Sequence, residues 1–315
     1  MDSRISLEKI RQAATVIDPV FLHSPQYESE SLNDALGTRV LIKVETLNPI
    51  RSFKGRGAEY LVATRSDDRP LICASAGNFG QAIAFACRKR GLPLKVYAAT
   101  TANPYKVERM RALGADVTLF GEDFDASKAE AKRVAKENGY AMVEDGLAVE
   151  TIEGAGTIGL ELVEAVELDG LLIALGNGAL FNGIATVFNH LRPKTKRIAV
   201  QAAGASAMAD SWRAGKLIAY PTMNTIADGI GVRLPIPEAL ADMKSLADDV
   251  ITVREDSIVE GMKLIHTHVG IVAEPSAAVG IAAILENRNR FSGLRLATII
   301  CGSNLTDEQR RKWLM

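Results

Sequence analysis

The feature that most constrains the fold is the alternation of short apolar runs with longer segments of helical pattern. Several of the runs are apolar throughout, which is typical of strands buried on both faces of a sheet. The runs predicted as strands are 40–44, 71–75, 94–99, 116–120, 141–143, 171–175, 197–201, 249–253 and 297–301.

Helix-length segments separate these runs. One begins with Pro104 at its first position and Asn103 as its cap, and another ends at Gly91 with basic residues in its last turn. Repeated strand–helix units favour an α/β fold with open, mostly parallel twisted sheets flanked by helices. The segments predicted as helices are 81–90, 104–113, 125–138, 255–268 and 275–285.

The chain length and apolar content suit one large domain or two smaller ones, since the sequence has 315 residues and is 47% hydrophobic. Because no linker or repeat stands out, a second domain must be inserted within the first. We expect a small domain over 70–149, inserted into a discontinuous large domain that spans 1–69 and 150–315.

Charge and cysteine content exclude several classes of function. The net charge is −1, aromatic residues make up 5% and no basic block occurs, so we expect no nucleic-acid partner. No apolar run reaches the length of a membrane span, and no signal peptide is visible, so we expect no membrane partner. The three cysteines are far apart and form no metal-ligand pattern, which is typical of a reduced, cytoplasmic protein.

Four strand ends carry residues suited to chemistry. The segment 48–57 follows the first strand and contains Arg51, Phe53 and Lys54, whose amine could form an imine if the fold holds it in a cleft. A lone lysine there is more often solvated. The segment 75–81 reads Ser-Ala-Gly-Asn-Phe-Gly-Gln and could offer backbone N–H groups and an amide to an anion, although an ordinary turn is at least as frequent.

The other two strand ends are glycine-rich. Residues 176–180 read Gly-Asn-Gly-Ala-Leu before a helical segment, which suits a phosphate bound by N–H groups. Neither the dinucleotide fingerprint nor the P-loop is matched there. Residues 301–304, Cys-Gly-Ser-Asn, add a thiol and a hydroxyl, where a buried cysteine is usually inert. Each segment alone is weak, but together they suit a phosphorylated cofactor held as an imine.

This set of motifs, in this order, resembles the fold type II pyridoxal-phosphate enzymes, which are the tryptophan-synthase-β-like superfamily. Ser-Phe-Lys-x-Arg-Gly at 52–57, Ser-x-Gly-Asn-x-Gly-Gln at 75–81, Thr-Ile-Ala-Asp-Gly at 225–229 and Glu-Pro-Ser-Ala at 274–277 are closest to the serine/threonine dehydratase (ammonia-lyase) and serine racemase branch. The resemblance runs from about Pro25 to Asn304. It implies pyridoxal 5'-phosphate as the cofactor, an amino acid as the substrate, and a homodimer.

The resemblance also implies a role for each matching residue. Lys54 would carry the cofactor and act as the base at Cα, with Phe53 beside it in the cofactor site. Asn78 would bind the ring hydroxyl, Cys301 the pyridine nitrogen, and Ser303 is the alternative to Cys301 if the register shifts. The phosphate would be bound by Gly176, Asn177, Gly178, Ala179 and Leu180, and the substrate by Ser75, Ala76, Gly77 and Asn78.

Departures from the branch pattern narrow the expected reaction. A neutral group at the pyridine nitrogen makes the ring a weaker electron sink, which favours elimination of a β-substituent to give a 2-oxo acid and ammonia. Ala76 stands where racemases carry a serine, which disfavours racemisation. Gln201 and Ala207 replace the acidic metal ligands of some relatives, so we expect no divalent metal. Arg51 could bind a second substrate carboxylate, although a solvated arginine is about twice as probable given the usual exposure of arginine.

Three other functions stay open. One is β-replacement of the cysteine synthase type, which Gly55 and the loop 177–180 disfavour, because that branch prefers a different residue after the lysine and a different phosphate loop. Another is amino-acid racemisation. The third is a cofactor-binding or ligand-sensing protein without catalysis, which the joint presence of Lys54 and Asn78 disfavours.

Overall fold

Two separate sheets account for all ten strands that the computed structural model contains in residues 3–315, the part of the chain that it describes. One sheet has six strands and the other has four. The strands are β1 (Gln26–Glu28), β2 (Arg39–Val44), β3 (Leu71–Ala74), β4 (Leu94–Ala98), β5 (Asp116–Leu119), β6 (Ala141–Val143), β7 (Gly170–Ala174), β8 (Lys196–Ala202), β9 (Asp249–Val253) and β10 (Arg295–Ile300).

The six-stranded sheet has the order β1-β2-β10-β7-β8-β9. All of its neighbouring strands are parallel except β1 and β2, which are antiparallel. Strand β10 lies between β2 and β7, so the last strand of the chain separates the early strands from the middle ones. Every residue of β7 is buried, as expected for a central parallel strand that is covered on both faces.

The four-stranded sheet has the order β5-β4-β3-β6, and all of its pairs are parallel. Its strands span 71–143 in the sequence, inside the range predicted for the inserted small domain. The exact domain limits at 70 and 149 stay a prediction. The fold class predicted from the sequence is confirmed, because both sheets are mostly or wholly parallel and flanked by helices.

Fourteen α-helices connect and cover these strands in the described residues. Those predicted from the sequence are found within about three residues of their expected limits. The helices are α1 (Leu7–Val16), α2 (Glu30–Leu36), α3 (Lys54–Thr64), α4 (Asn78–Arg90), α5 (Pro104–Ala112), α6 (Phe124–Asn138), α7 (Val149–Ala165), α8 (Ala179–Leu191), α9 (Ala207–Ala214), α10 (Pro237–Lys244), α11 (Glu255–Val269), α12 (Pro275–Glu286), α13 (Arg288–Phe291) and α14 (Asp307–Leu314). None of them is long and apolar enough to cross a membrane.

Caps explain several of these limits. The Asn103 side chain accepts a hydrogen bond from the Tyr105 N–H, and Pro104 occupies the first turn of α5, as the sequence predicts. Helices α4 and α6 both end at a glycine with positive φ, Gly91 and Gly139, which adopts the left-handed conformation without a side-chain clash.

Helices α3 and α7 cross so closely that glycine is required on both. A Cβ on Gly57 would lie 2.5 Å from the Thr151 carbonyl oxygen, and one on Gly154 would lie 2.6 Å from the Arg56 carbonyl oxygen. Because helix α3 begins at Lys54, this contact fixes the helix that carries the expected reactive residue.

A buried ionic cluster lies beside the same helix turn. The Arg56 guanidinium is fully buried and donates to the carboxylates of Glu45, at 2.8 Å, and Glu161, while Lys43 also donates to Glu161. Burial alone would lower the pKa of Arg56, but the two carboxylates outweigh it and raise that pKa. The cluster links α3, α7 and β2 beside the loop that carries Lys54.

Candidate active site

The loop that carries Lys54 lies against the loop that follows β10. The Phe53 N–H donates to the Cys301 carbonyl at 3.1 Å, and the Ser303 N–H donates to the Arg51 carbonyl at 3.0 Å. Arg51 has a φ of 52°, a strained conformation for a side chain other than glycine, and its exposed guanidinium reaches the Tyr105 hydroxyl at 3.5 Å. The structure therefore brings the predicted lysine and the predicted Cys–Ser segment together.

The Lys54 amine is held by a residue that the sequence analysis did not single out. Nζ of Lys54 lies 2.5 Å from Oδ2 of Asp145, and 4.5 Å from the centre of the Phe53 ring. The Asn177 side-chain amide donates to the same Asp145 oxygen at 2.7 Å. One carboxylate therefore links the predicted reactive amine to the predicted phosphate loop.

The segment after β3 forms a turn around the Ser75 hydroxyl. Its Oγ accepts hydrogen bonds from the N–H of Gly77, at 3.2 Å, and of Gly80, at 2.9 Å. Helix α4 then begins at Asn78. A Cβ on Gly77 would meet only Lys106, at 3.9 Å, so space remains open beside this turn.

Asn78 belongs to a buried polar network that joins the two sheets. Its Nδ2 donates to Oε1 of Glu274 at 2.7 Å, and its Oδ1 accepts from the Asn304 side chain at 2.9 Å. Oε2 of Glu274 accepts from the Asn304 backbone N–H at 3.1 Å. Glu274 and Asn304 lie within motifs of the sequence. Their pairing with Asn78 could not be predicted, because it depends on strand ends that are remote in the chain.

Burial shifts the ionisation of this network. It raises the pKa of Glu274, and the nearby Asp228 adds to this effect, whereas Lys106 acts against it. Burial also raises the pKa of the Cys301 thiol, with Glu274 adding to the rise. Cys301 is therefore a neutral thiol at physiological pH.

Lys106 in helix α5 forms an ion pair with the segment between α9 and α10. Its Nζ lies 2.6 Å from Oδ2 of Asp228, which belongs to the Thr-Ile-Ala-Asp-Gly motif. Burial would lower the pKa of Lys106, but Asp228 and Glu274 outweigh it and raise that pKa, so the buried amine stays charged. This places a positive charge near the turn at Gly77.

The glycine-rich segment 176–180 lies between β7 and α8, as the sequence predicts. Gly178 has a φ of 95° and immediately precedes the first residue of α8, Ala179. The Ala179 N–H donates to the Asn177 side chain at 3.2 Å, so one of the predicted phosphate donors is already engaged. Leu180 follows in the first turn and is buried. The start of α8 still offers the positive end of a helix dipole to an anion.

Gln201 and Ala207 are the two positions at which the sequence predicts no metal ligand. Oε1 of Gln201 accepts from the Ala209 N–H at 2.9 Å, and Ala207 begins α9. No group of three or more metal-ligating side chains occurs between residues 3 and 315. The absence of a divalent metal stays a prediction.

Comparison with known proteins gives one consistent family. The sequence profile described as "Pyridoxal-phosphate dependent enzyme" matches residues 17–302. A serine racemase of Oryza sativa subsp. indica is 30% identical over 313 residues, covering 95% of this chain and 91% of that protein. An L-threonine ammonia-lyase of Thermotoga maritima is 31% identical over 305 residues, covering 96% and 76%.

A solved structure gives the same result at the level of the fold. Maize serine racemase superimposes with a TM-score of 0.92 and 29% sequence identity, covering 98% of this chain and 96% of that one. Both the lyase and the racemase branch therefore lie among the proteins to which this chain is similar.

Proposed function

Because the chain belongs to the family of pyridoxal-phosphate dependent enzymes, we propose that it converts a β-hydroxy amino acid such as threonine or serine to a 2-oxo acid and ammonia. The observation that carries this proposal is the position of Lys54 among three other strand-end segments. The Lys54 amine contacts Asp145, which contacts the loop 176–180, and the Lys54 loop is bonded to the segment 301–304.

The residues present fit the cofactor. Pyridoxal phosphate needs an amine for its aldehyde, donors for its phosphate, a donor for its ring hydroxyl and a partner for its ring nitrogen. Lys54, the start of α8, Asn78 and Cys301 supply these groups. The Asn304 carbonyl oxygen Oδ1 is buried without a partner among the described residues, as expected beside a site that binds a polar molecule.

Bound pyridoxal phosphate supplies an electron sink that makes the Cα–H of an attached amino acid acidic. Lys54 Nζ then accepts the Cα proton, which is general-base catalysis by a positioned amine. The β-hydroxyl would leave as water with one proton drawn from the solvent, and hydrolysis of the resulting enamine by a water molecule would give the 2-oxo acid and ammonia. Phe53 lies against the Lys54 amine, at 4.5 Å from the ring centre to Nζ, and shields it from solvent on that side.

The other site residues orient the reactants. Asn78, whose amide donates to Glu274, would bind the ring hydroxyl. Cys301, as a neutral thiol, would contact the ring nitrogen, with Ser303 as the alternative. The segment Gly176, Asn177, Gly178, Ala179 and Leu180 would hold the phosphate.

The substrate carboxylate lies at the turn 75–78. Since Ser75 Oγ already accepts the N–H of Gly77 and Gly80, the N–H groups of Ala76, Asn78 and Phe79 remain as candidate donors. The Lys106 side chain lies beside this turn, with its amine paired to Asp228.

Racemisation is the second candidate, because serine racemases are among the similar proteins. A racemase needs a second proton donor on the face of the substrate opposite Lys54. Ala76 has a methyl group at the position that would provide it, and a methyl group transfers no proton. This favours the lyase.

The experiment is an assay of the purified holoenzyme with L-threonine and L-serine. Ammonia and 2-oxo acid should form in equal amounts, and Lys54→Ala should abolish both. Borohydride treatment followed by mass spectrometry should locate the cofactor on Lys54. Inversion of the substrate without ammonia would show a racemase instead, and activity only with an acylated serine plus sulfide would show β-replacement.

Arg51 bears on which class of β-hydroxy amino acid the same reaction accepts. Its guanidinium is exposed beside Tyr105, and it could form a bidentate pair with a β-carboxylate, as in a hydroxyaspartate. Comparison of hydroxyaspartate with threonine, in the native enzyme and in Arg51→Ala, tests this. Selective loss with hydroxyaspartate is the expected result for a binding role.

The state of the cysteines bears on the cellular setting of the protein. Cys73, Cys87 and Cys301 are all buried and unpaired, which suits the reducing conditions of the cytoplasm. A homodimer is proposed from the resemblance to the dehydratase branch. Size-exclusion chromatography with light scattering measures the assembly directly.

A further inference from the structure

Asp145 occupies a position from which it controls the reactive amine. Its Oδ2 lies 2.5 Å from Lys54 Nζ, and both side chains are largely buried, with 15% and 14% of their surfaces exposed. We propose that Asp145 is a positioning residue that holds Lys54 Nζ in place by accepting its hydrogen bond. The inference rests on the proposed role of Lys54 as the base.

The loop that carries Asp145 is built to hold it. Asp145 follows β6, and the next residue, Gly146, has a φ of 79°, which favours glycine. The Arg4 guanidinium donates to the carbonyls of Gly146, at 3.1 Å, and Leu147, at 2.7 Å. The Gly146 N–H donates to the Thr151 hydroxyl at 3.2 Å. These bonds leave the Asp145 backbone little freedom.

Asn177 orients the Asp145 side chain. Its Nδ2 donates to Oδ2 of Asp145 at 2.7 Å and to the Asp145 carbonyl at 3.0 Å. A Cβ on Gly146 would lie 2.9 Å from Cγ of Asn177, so the close approach of the two loops requires glycine there. Asn177 therefore joins the segment 176–180 to the loop that carries Asp145.

Both donors converge on one oxygen of Asp145. Oδ2 receives the Lys54 amine and the Asn177 amide, whereas Oδ1 is buried without a hydrogen-bond partner among the described residues. A carboxylate with one doubly engaged oxygen has a fixed orientation. Lys54 Nζ is therefore held between this oxygen and the Phe53 ring.

The chemical effect follows from charge. A carboxylate oxygen 2.5 Å from the amine attracts it and accepts its hydrogen bond, which fixes the direction in which Nζ points. During elimination, Lys54 Nζ takes one proton from Cα, and Asp145 Oδ2 accepts a hydrogen bond from the resulting ammonium group. The β-hydroxyl leaves as water with one proton drawn from the solvent, and Nζ later returns one proton to the solvent, so no proton moves onto Asp145.

The test labels the full-length chain after its cofactor has been removed. Acetic anhydride reacts with the uncharged amine of a lysine, and mass spectrometry of the digest gives a separate rate for each lysine. Asp145→Asn should label Lys54 about fivefold faster or more at neutral pH, because the amine loses the ion pair that holds it. The increase should be confined to Lys54, which a general loss of structure would not cause.

Three further variants sharpen the result. Asn177→Ala keeps the carboxylate but removes its orienting amide, so Lys54 should label faster than in the native chain and slower than in Asp145→Asn. Asp145→Glu should restore slow labelling. The matched control is Glu144→Gln, from the same loop, whose native carboxylate pairs with Lys128 and Lys132. It should speed labelling of those two lysines and leave Lys54 unchanged.

Equal Lys54 labelling in the native chain and in Asp145→Asn, with both folded by circular dichroism, would overturn the proposal. This outcome is independent of the reaction catalysed, because no substrate is present. Conversely, failure of the native enzyme to release ammonia would remove the proposed function and leave the labelling result intact. In the holoenzyme, Asp145→Asn should lower kcat more than it raises KM.

Discussion

The side chains of Asn78 and Glu274 meet across the two sheets, with Nδ2 of Asn78 donating to Oε1 of Glu274 at 2.7 Å. Asn78 begins α4, after strand β3 of the four-stranded sheet. Glu274 immediately precedes α12, which lies beside the six-stranded sheet. The proposed ring-binding amide is thus oriented by a carboxylate from another part of the fold.

Glu274→Gln should weaken cofactor binding. Both carboxylate oxygens accept hydrogen bonds, from Asn78 and from the Asn304 N–H, whereas glutamine has only one acceptor oxygen. One buried donor then loses its partner, at a cost of about 1–3 kcal/mol, which corresponds to at least about fivefold in the cofactor Kd if the bound state bears it. Absorbance titration measures the Kd. Ser276→Ala is the control, since that buried hydroxyl has no partner among the described residues; equal affinities in the two variants would contradict the prediction.

Ala76→Ser should increase racemisation relative to elimination. The added hydroxyl would lie on the turn 75–78, where a second proton donor is absent in the native residue. Chiral chromatography of serine, together with ammonia release, gives the ratio of the two reactions. Ala76→Cys has a similar size but a different proton donor and serves as the comparison. An unchanged ratio in Ala76→Ser would mean that Ala76 does not face the substrate.

Stability should fall as pH rises through the range in which Glu153 titrates. Burial raises the pKa of Glu153 to about 7, and the Ser6 N–H, which donates to it at 3.1 Å, acts against this rise. The folded chain therefore holds a proton that the unfolded chain releases above about pH 4.5. The contribution to stability is greatest at low pH and is lost as pH rises from about 4.5 to 7.

Glu153→Gln should remove this dependence, because glutamine can still accept the Ser6 N–H but carries no charge. Relative to the native protein, the variant should gain on the order of 2 kcal/mol on going from pH 4.5 to pH 8. Urea unfolding midpoints at the two pH values test this. Glu164→Gln, an exposed position in the same helix, is the matched control. A constant difference between Glu153→Gln and the native protein at both pH values would refute the assignment.

Arg56→Met should strongly destabilise the fold. Methionine leaves the buried carboxylate of Glu45 without its guanidinium partner and leaves Glu161 with Lys43 as its remaining ion-pair partner. Loss of one partner from a buried pair costs about 3–5 kcal/mol. The control is Arg133→Met, which removes solvent-screened surface pairs with Glu130 and Glu137 and should cost far less stability. Thermal unfolding of both variants gives the comparison, and similar shifts would contradict this account.

The sequence predicted the central strands well because burial on both faces leaves a continuous apolar run. Strand β7 shows this, with every residue buried. Strand β1 was missed because Gln26–Glu28 is short, mostly polar and at a sheet edge, where pairing with β2 rather than pattern defines it. Helix α7 was missed because its apolar residues and glycines are buried nearly all round, which leaves no clear amphipathic period.

Part of the candidate site could likewise be predicted from the sequence, and part could not. Lys54 and the segment 176–180 follow predicted strands, so their proximity follows from the parallel topology. Asp145 also follows a strand, but β6 is only three residues long, and the loop after it carries no motif. Its contact with Lys54 joins residues 91 positions apart, which requires the arrangement of both sheets.

The position of β10 between β2 and β7 has a consequence for the order in which the chain acquires structure during synthesis. The four-stranded sheet is complete once Val143 has emerged from the ribosome, and it can form while the rest is still being made. The six-stranded sheet remains divided until residues 295–300 arrive to join its two parts. Lys54 therefore begins a helix that follows a strand with one open edge, β2, whose missing neighbour is translated about 240 residues after Lys54.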